Sequence, residues 1–195
     1  VFSFHATKVF NTLEGGAVVT ADDALAAKMR LMRNFGFAGF DNVIHPGTNG
    51  KMVEACAAMG LANLAHLDSM IAANFTNYLA YETALAGVPG IRLRGYAPGE
   101  RHNYQYVIIE VEPESPVTRD RIVEALHAEN ILARKYFWPG CHRMQPYQAL
   151  FPHAGQMLSH TERVAASVLV LPTGISLAAE VPGVVAAVIR ALGER

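Results

Sequence analysis

The stretches Val1-Phe2-Ser3-Phe4-His5-Ala6-Thr7-Lys8 and Glu14-Gly15-Gly16-Ala17-Val18-Val19-Thr20 set the reading of this chain. Val1 to Phe4 alternates apolar and polar side chains, the period of an extended strand, and Gly16 to Thr20 is a second β-prone run. Asp22 then stands where a helix N-cap belongs, ahead of an Ala- and Leu-rich segment from Asp23 to Arg33. Strand, turn, strand, helix is the grammar of a layered α/β protein. Ser3 to Lys8 gathers two hydroxyls, an imidazole and an amine at a strand end, where α/β proteins place their ligands.

Outward from there, Asn34 to Gly50 is rich in Gly, Asn and Phe and is expected to form a long loop. Helical periodicity runs from Lys51 to Leu64 and again from Leu67 to Ala86, stopping at Gly87 and Pro89-Gly90. The second half predicts a strand over Tyr104 to Val111, a helix over Thr118 to Glu129 and a short strand over Ile131 to Ala133. An irregular aromatic stretch, Tyr136 to Gly155, comes next, then a helix (Thr161 to Ser167), a strand (Val168 to Leu171) and an amphipathic helix (Pro182 to Leu192). A domain boundary is expected near Gly87 and Pro89-Gly90.

Composition narrows the functional classes. The 195 residues are 51% hydrophobic, enough for a sizeable core, and the formal charge of -1 comes with no cluster of Lys and Arg among aromatics. Nucleic-acid binding is not expected. The longest apolar stretch, Val181 to Ile189, contains Pro182 and Gly183 and falls short of the ~20 residues of a membrane span, so no membrane partner is expected. Two cysteines, Cys56 and Cys141, are too few for a disulfide framework and agree with a reducing cytoplasm. Cys56 reads as a small buried hydrophobe on an Ala-rich helix. Cys141, His142, His153 and His160 do not reproduce a zinc spacing, and no metal is expected.

Three motifs in order now point to a family. Ser-Phe-His-Ala-x-Lys ends at Lys8, Glu14-Gly15-Gly16 precedes a hydrophobic strand, and Gly47-x-Asn49-x-Lys51-Met52-x-Glu54-x-x-Ala57-Ala58 leads into a helix. Together they resemble the DegT/StrS-type sugar aminotransferases, which are fold-type I enzymes dependent on pyridoxal 5'-phosphate (PLP). Tyr78-Leu79, Pro89-Gly90-Ile91, His102 to Val107 and Leu169-Val170-Leu171-Pro172 extend the resemblance over essentially the whole chain.

The resemblance implies a Schiff-base lysine at Lys8, which also moves the proton between the amino-bearing carbon and the cofactor. It implies a phosphate contact from Ser3 and a second from Asn49, the latter reaching into the neighbouring subunit of a homodimer that shares its active sites. His5, Tyr104, Tyr136 and His142 fall in segments resembling substrate-contacting regions; by residue type alone, a histidine like His5 is more often a satisfied core residue and the aromatics more often core packing. The implied substrates are a nucleotide-linked keto-sugar, with a lean toward dTDP-4-keto-6-deoxyhexose, and glutamate as amino donor. The nucleotide and the pathway, antibiotic sugar or cell-surface polysaccharide, stay open.

Members of that family carry a front half absent from these 195 residues, so the chain is expected to be incomplete and, alone, inactive and prone to expose apolar surface. A non-catalytic fragment, serving as a dimerisation or sugar-nucleotide-binding module, is the alternative. A PLP-dependent sugar dehydratase is disfavoured, since that branch is expected to replace the lysine and Lys8 is present.

Overall fold

A computed structural model of the chain describes residues 1–194; Arg195, the last residue of the domain expected after Pro89-Gly90, lies outside the described residues. Contacts group the residues into two units, Val1–Ser69 and Met70–Arg195.

In the first unit β1 (Phe2–Ser3) pairs antiparallel with β2 (Gly16–Ala17), Phe2 opposite Ala17 and Ser3 opposite Gly16. Both strands are shorter than the apolar runs that announce them, because a two-stranded ribbon without further neighbours supports few ladder bonds. Helix α1 (Asp23–Arg33) begins as the sequence predicts, with Asp22 Oδ1 accepting from the Leu25 N–H at 2.9 Å. The Asn34 to Gly50 loop is folded back on itself by bridges between Asn34 and Asn49 and between Phe37 and Val43. Glycine is required where it crosses: a Cβ on Gly36, at φ +81°, would stand 1.7 Å from the His45 carbonyl oxygen. Among the described residues every buried hydrophobic side chain belongs to Tyr78 or a later position, so this unit seals no apolar core of its own. Phe2, Val19, Phe40 and Leu61 all stand exposed.

Helix α2 (Glu54–Leu85) replaces the two helices expected on either side of His66. Nothing between Leu61 and Leu85 interrupts a helix, since the stretch holds neither Gly nor Pro. Continuous, it is long and apolar enough by length and composition to cross a membrane, a feature that its division into two shorter helices conceals. Three of its asparagines bond to other segments: Asn63 Nδ2 donates to the Asn11 carbonyl, Asn74 Nδ2 to the Asn103 carbonyl and Asn77 Nδ2 to the Gly174 carbonyl. Cys56 is partly exposed on this helix rather than buried, because nothing in the first unit covers that face.

The second unit is built on a sheet ordered β3 (Ile91–Leu93), β4 (Val107–Val111), β5 (Val168–Leu171), antiparallel throughout. Alternation does the work on β4, where Val107, Ile109 and Val111 are buried and Ile108 and Glu110 are less so. Helix α3 (Arg119–Ala128), capped by the Thr118 hydroxyl accepting from Arg121 N–H, packs on β5 and on α7 (Val181–Gly193). Tyr81 of α2, Ile109, Ile122, Leu126, Leu169 and Val185 are sealed almost completely. The Tyr81 hydroxyl donates to the Pro172 carbonyl at 3.0 Å, and burial pushes its phenol well up from the ordinary 10.0.

Two expected strands change. The one predicted from Tyr104 starts at Val107, since Tyr104 takes φ +50° and leaves the extended region. Ile131 to Ala133 forms no strand, although Ile131 and Ala133 are buried in the core, and the next residue, Arg134, makes an isolated bridge to Val170. The irregular stretch contains a 3-10 turn (Cys141–Arg143) and two single turns, α4 (Tyr147–Leu150) and α5 (Ala154–Met157), before α6 (Ser159–Ser167).

Arg119 is the charged residue buried inside this unit, 5% exposed. Its Nη1 donates to the Ala165 and Val168 carbonyls, its Nε to Asp120 Oδ1, and its guanidinium stands 5.0 Å from the Trp138 ring centroid. Desolvation pushes the Asp120 carboxyl up, but the hydrogen bond and charge of Arg119, followed by Lys135, outweigh it and hold the group below its ordinary 3.8.

Two outcomes follow from this packing. Leu169→Ala, which empties a sealed site, should cost about 2–5 kcal/mol in urea unfolding, whereas Leu132→Ala, at an exposed position, should stay within about 0.5 kcal/mol. Because the folded-state pKa of Asp120 is depressed, its contribution to stability is present above the ordinary carboxylate value and is lost as the pH falls through the lowered one. Asp120→Asn should therefore flatten the acid limb of the urea midpoint plotted against pH.

Candidate active site

Three of the residues singled out in the sequence share one turn in the first unit. The Lys8 N–H donates to the His5 carbonyl at 2.9 Å, Asn11 Nδ2 to the Lys8 carbonyl at 3.2 Å, and the Thr12 N–H to the Phe4 carbonyl at 2.9 Å. Thr12, 2% exposed, donates its hydroxyl to the Glu14 carbonyl. The turn is fastened to α2 by Asn63 at Asn11, and Gly60 of the same helix leaves room for it, since a Cβ there would meet Thr12 Cγ2 at 2.8 Å. Phe4 and Phe10 pack edge to face, centroids 4.9 Å apart. Lys8 is consequently half-buried on a braced turn at the end of β1.

Ser3 is exposed, and its Oγ accepts from the His5 N–H at 3.4 Å. His5 is exposed as well, with Nδ1 2.9 Å from Thr7 Oγ1 and Nε2 3.6 Å from Glu14 Oε1. The common fate of such a histidine, satisfaction in a core, does not apply, because the first unit buries no apolar shell around it. Asn49 lies on a separate segment, exposed, at the base of the folded-back loop. Lys51 braces that base, donating to Asn34 Oδ1 at 3.1 Å with its ammonium 4.4 Å from the Phe35 ring centroid. A cavity of about 1000 Å³ separates the β1–β2 ribbon from this loop, walled by Phe2, Val18, Arg30, Arg33 and Thr48.

In the second unit Tyr136 and His142 line a common cavity of about 870 Å³, with Phe137, Tyr147, Phe151 and Thr161 among its walls. Arg134 lies 4.6 Å from the Tyr136 ring centroid, and Phe137 stacks on Tyr136 at 4.6 Å. Tyr104 belongs elsewhere, in a ring cluster with Phe75, Tyr78, Tyr96 and His102. Burial, and after it the Glu82 charge, pushes the Tyr78 phenol up; burial also raises Tyr96, whose hydroxyl donates to the Tyr106 carbonyl at 2.6 Å. Tyr104 is thus surrounded by packing.

Two charged residues that the sequence reading passed over attend His142. Its side chain is 8% exposed, and Nε2 lies 2.7 Å from Glu162 Oε1; Arg143 Nε donates to the same oxygen at 2.6 Å. The hydrogen bond from Arg143, and next that from His142, holds the Glu162 carboxyl below its ordinary 4.5. Nothing local announced Glu162, which lies 20 residues from His142 and meets it only through the turns between them. Among the described residues no group of three or more His, Cys, Asp and Glu side chains could hold a metal ion.

Comparison with known proteins adds identity to this geometry. The chain is 33% identical over 192 residues to the dTDP-4-amino-4,6-dideoxy-D-glucose transaminase of Shigella dysenteriae, covering 97% of this chain and 51% of that protein. It is 35% identical over 195 residues to the GDP-perosamine synthase of Caulobacter vibrioides, covering 95% and 50%. Among solved structures, that of DesI in the presence of its TDP-sugar product matches with a TM-score of 0.88 at 45% identity, over 100% of this chain and 49% of DesI. The Streptomyces venezuelae DesV structure, in complex with a ketimine intermediate, matches with a TM-score of 0.87 at 32% identity, over 100% and 51%. The chain thus spans about half the length of the relatives it matches. The DegT/DnrJ/EryC1/StrS aminotransferase family model matches residues 1–190, and with the braced lysine turn and the α/β architecture this establishes that the chain belongs to that family of sugar aminotransferases.

Proposed function

We propose that this chain is the lysine-bearing part of a PLP-dependent aminotransferase that converts a nucleotide-linked keto-sugar, dTDP-4-keto-6-deoxyhexose, to an amino-sugar with glutamate as donor. The observation that carries the reading is Lys8, a half-buried residue on a turn braced to α2, in a member of a sugar aminotransferase family. The residues present fit the cofactor: Lys8 offers one primary amine to an aldehyde, and Ser3 offers a hydroxyl to a phosphate from the same turn. When bound, PLP supplies an electron sink for the carbon that exchanges its proton.

The chain's own residues have three tasks. Lys8 Nζ would hold the cofactor and would accept and return the proton of the amino-bearing carbon. Ser3 Oγ orients the phosphate. Asn49, on the folded-back loop, reaches the phosphate of a second copy, so that a homodimer completes each site. Tyr136 and His142 line the cavity assigned to the sugar nucleotide, and His5 lies beside the lysine on its turn. By the family resemblance we read residues 1–65 as part of the large domain, 66–90 as an interdomain helix and 91–195 as a small α/β domain. The names of the Shigella and Caulobacter relatives support the substrate class.

A second reading, a non-catalytic dimerisation or sugar-nucleotide-binding module, is favoured by the first unit's lack of a buried apolar core and by the half-length match. One experiment separates the two. The chain, alone and combined with the half of the Shigella transaminase that it does not match, is mixed with PLP and reduced with borohydride. Under the aminotransferase reading the pyridoxyl label lands on the peptide containing Lys8, and Lys8→Ala loses both the label and amination of the keto-sugar by at least about 1000-fold. Label spread over other lysines, or unchanged in Lys8→Ala, rules that reading out.

A further inference from the structure

We propose that Glu162 is a positioning residue that fixes the orientation and tautomer of His142, so that His142 Nδ1 faces the 870 Å³ cavity as a hydrogen-bond acceptor for a hydroxyl of the nucleotide-linked sugar. This rests on the assignment of that cavity to the substrate and adds the residue that makes it selective.

The geometry carries the argument. A carboxylate has no proton to give, so the 2.7 Å contact from Glu162 Oε1 to His142 Nε2 requires the hydrogen on Nε2. In the neutral ring Nδ1 is then the acceptor. Arg143 donates to the same Oε1 at 2.6 Å, and this second donor keeps the carboxylate ionised and its oxygen in place. Two glycines make room for the arrangement. Gly140, at φ +94°, would with a Cβ stand 2.8 Å from His142 Cε1 and 3.0 Å from Nδ1; Gly155 would stand 2.9 Å from Glu162 Oε1. Glycine at 140 therefore keeps open the space beside the acceptor, and Gly140 and His142 both line the cavity.

The surroundings make the acceptor matter. Beside His142 the cavity wall offers the His160 imidazole and the hydroxyls of Tyr136, Tyr147 and Thr161, and the rest of it is mostly aromatic and aliphatic. An acceptor held in one orientation discriminates more strongly than one free to rotate, because a hydroxyl buried in a mostly apolar wall without a partner is penalised. The imidazole is itself nearly removed from solvent, so its rotation is limited by packing as well as by the carboxylate.

The test uses two readouts. In the 195-residue chain at pH 8, nitrogen-15 shifts of His142 should report the Nε2–H form, and Glu162→Gln should move the ring toward a mixture of tautomers. In the protein combined with the unmatched half of the Shigella transaminase, Glu162→Gln should raise KM for dTDP-4-keto-6-deoxy-D-glucose about tenfold with kcat within about twofold. His142→Gln should match it, and the double variant should be no worse than either single one. Unchanged His142 shifts in Glu162→Gln, or effects that multiply in the double variant, overturn the proposal. Absence of turnover in the unsubstituted combined protein counts against the substrate assignment alone, and the nitrogen-15 shifts then still decide the part of Glu162.

Discussion

The sealed face of the β3–β4–β5 sheet is the constraint on which the second unit depends. Val107, Ile109 and Val111 point to one side of β4, Leu169 and Leu171 meet them from β5, and Ile122, Leu126 and Val185 close over them from α3 and α7. Each such side chain contributes about 1.5–3 kcal/mol when removed from water. Register is locked by the same fact: a one-residue slip of β4 would carry Glu110 into the apolar layer and expel Ile109.

From that rigid layer hang the segments that matter for chemistry. Residues 134–158 leave the sheet at the Arg134–Val170 bridge and return through α6, and the buried Arg119 ties the end of α6 to Trp138 within that excursion. A guanidinium deprived of water must find acceptors, and the ones it finds are the Ala165 and Val168 carbonyls at the junction of α6 with β5. The cavity holding Tyr136 and His142 therefore has one wall fixed by the core and another made of short turns.

The first unit is organised differently. It has no buried apolar cluster among the described residues, and its order comes from hydrogen bonds: Asn63 to Asn11, Thr12 to Glu14, and the glycine-dependent crossing of Gly36 and Gly47 in the folded-back loop. Such a lattice positions Lys8 well but buries little, which is why Phe2, Val19 and Phe40 stand in water. Exposed apolar surface of this kind marks places where further protein packs.

By itself the sequence determined the helix starts at Asp22 and Thr118, the core strands near Val107 to Val111 and Val168 to Leu171, and, through three motifs in order, the family. These are local signals: a cap needs only its own first turn, and alternation needs only its own strand. Tertiary structure decided what depends on distant partners. It fused two helices into one at His66, bent Tyr104 out of its strand into a ring cluster, left His5 and Cys56 without the shell that would have buried them, and joined Glu162 to His142 across 20 residues of turns. In each case the deciding energy is a contact or a missing cover supplied from far along the chain, and no window of neighbouring residues contains it.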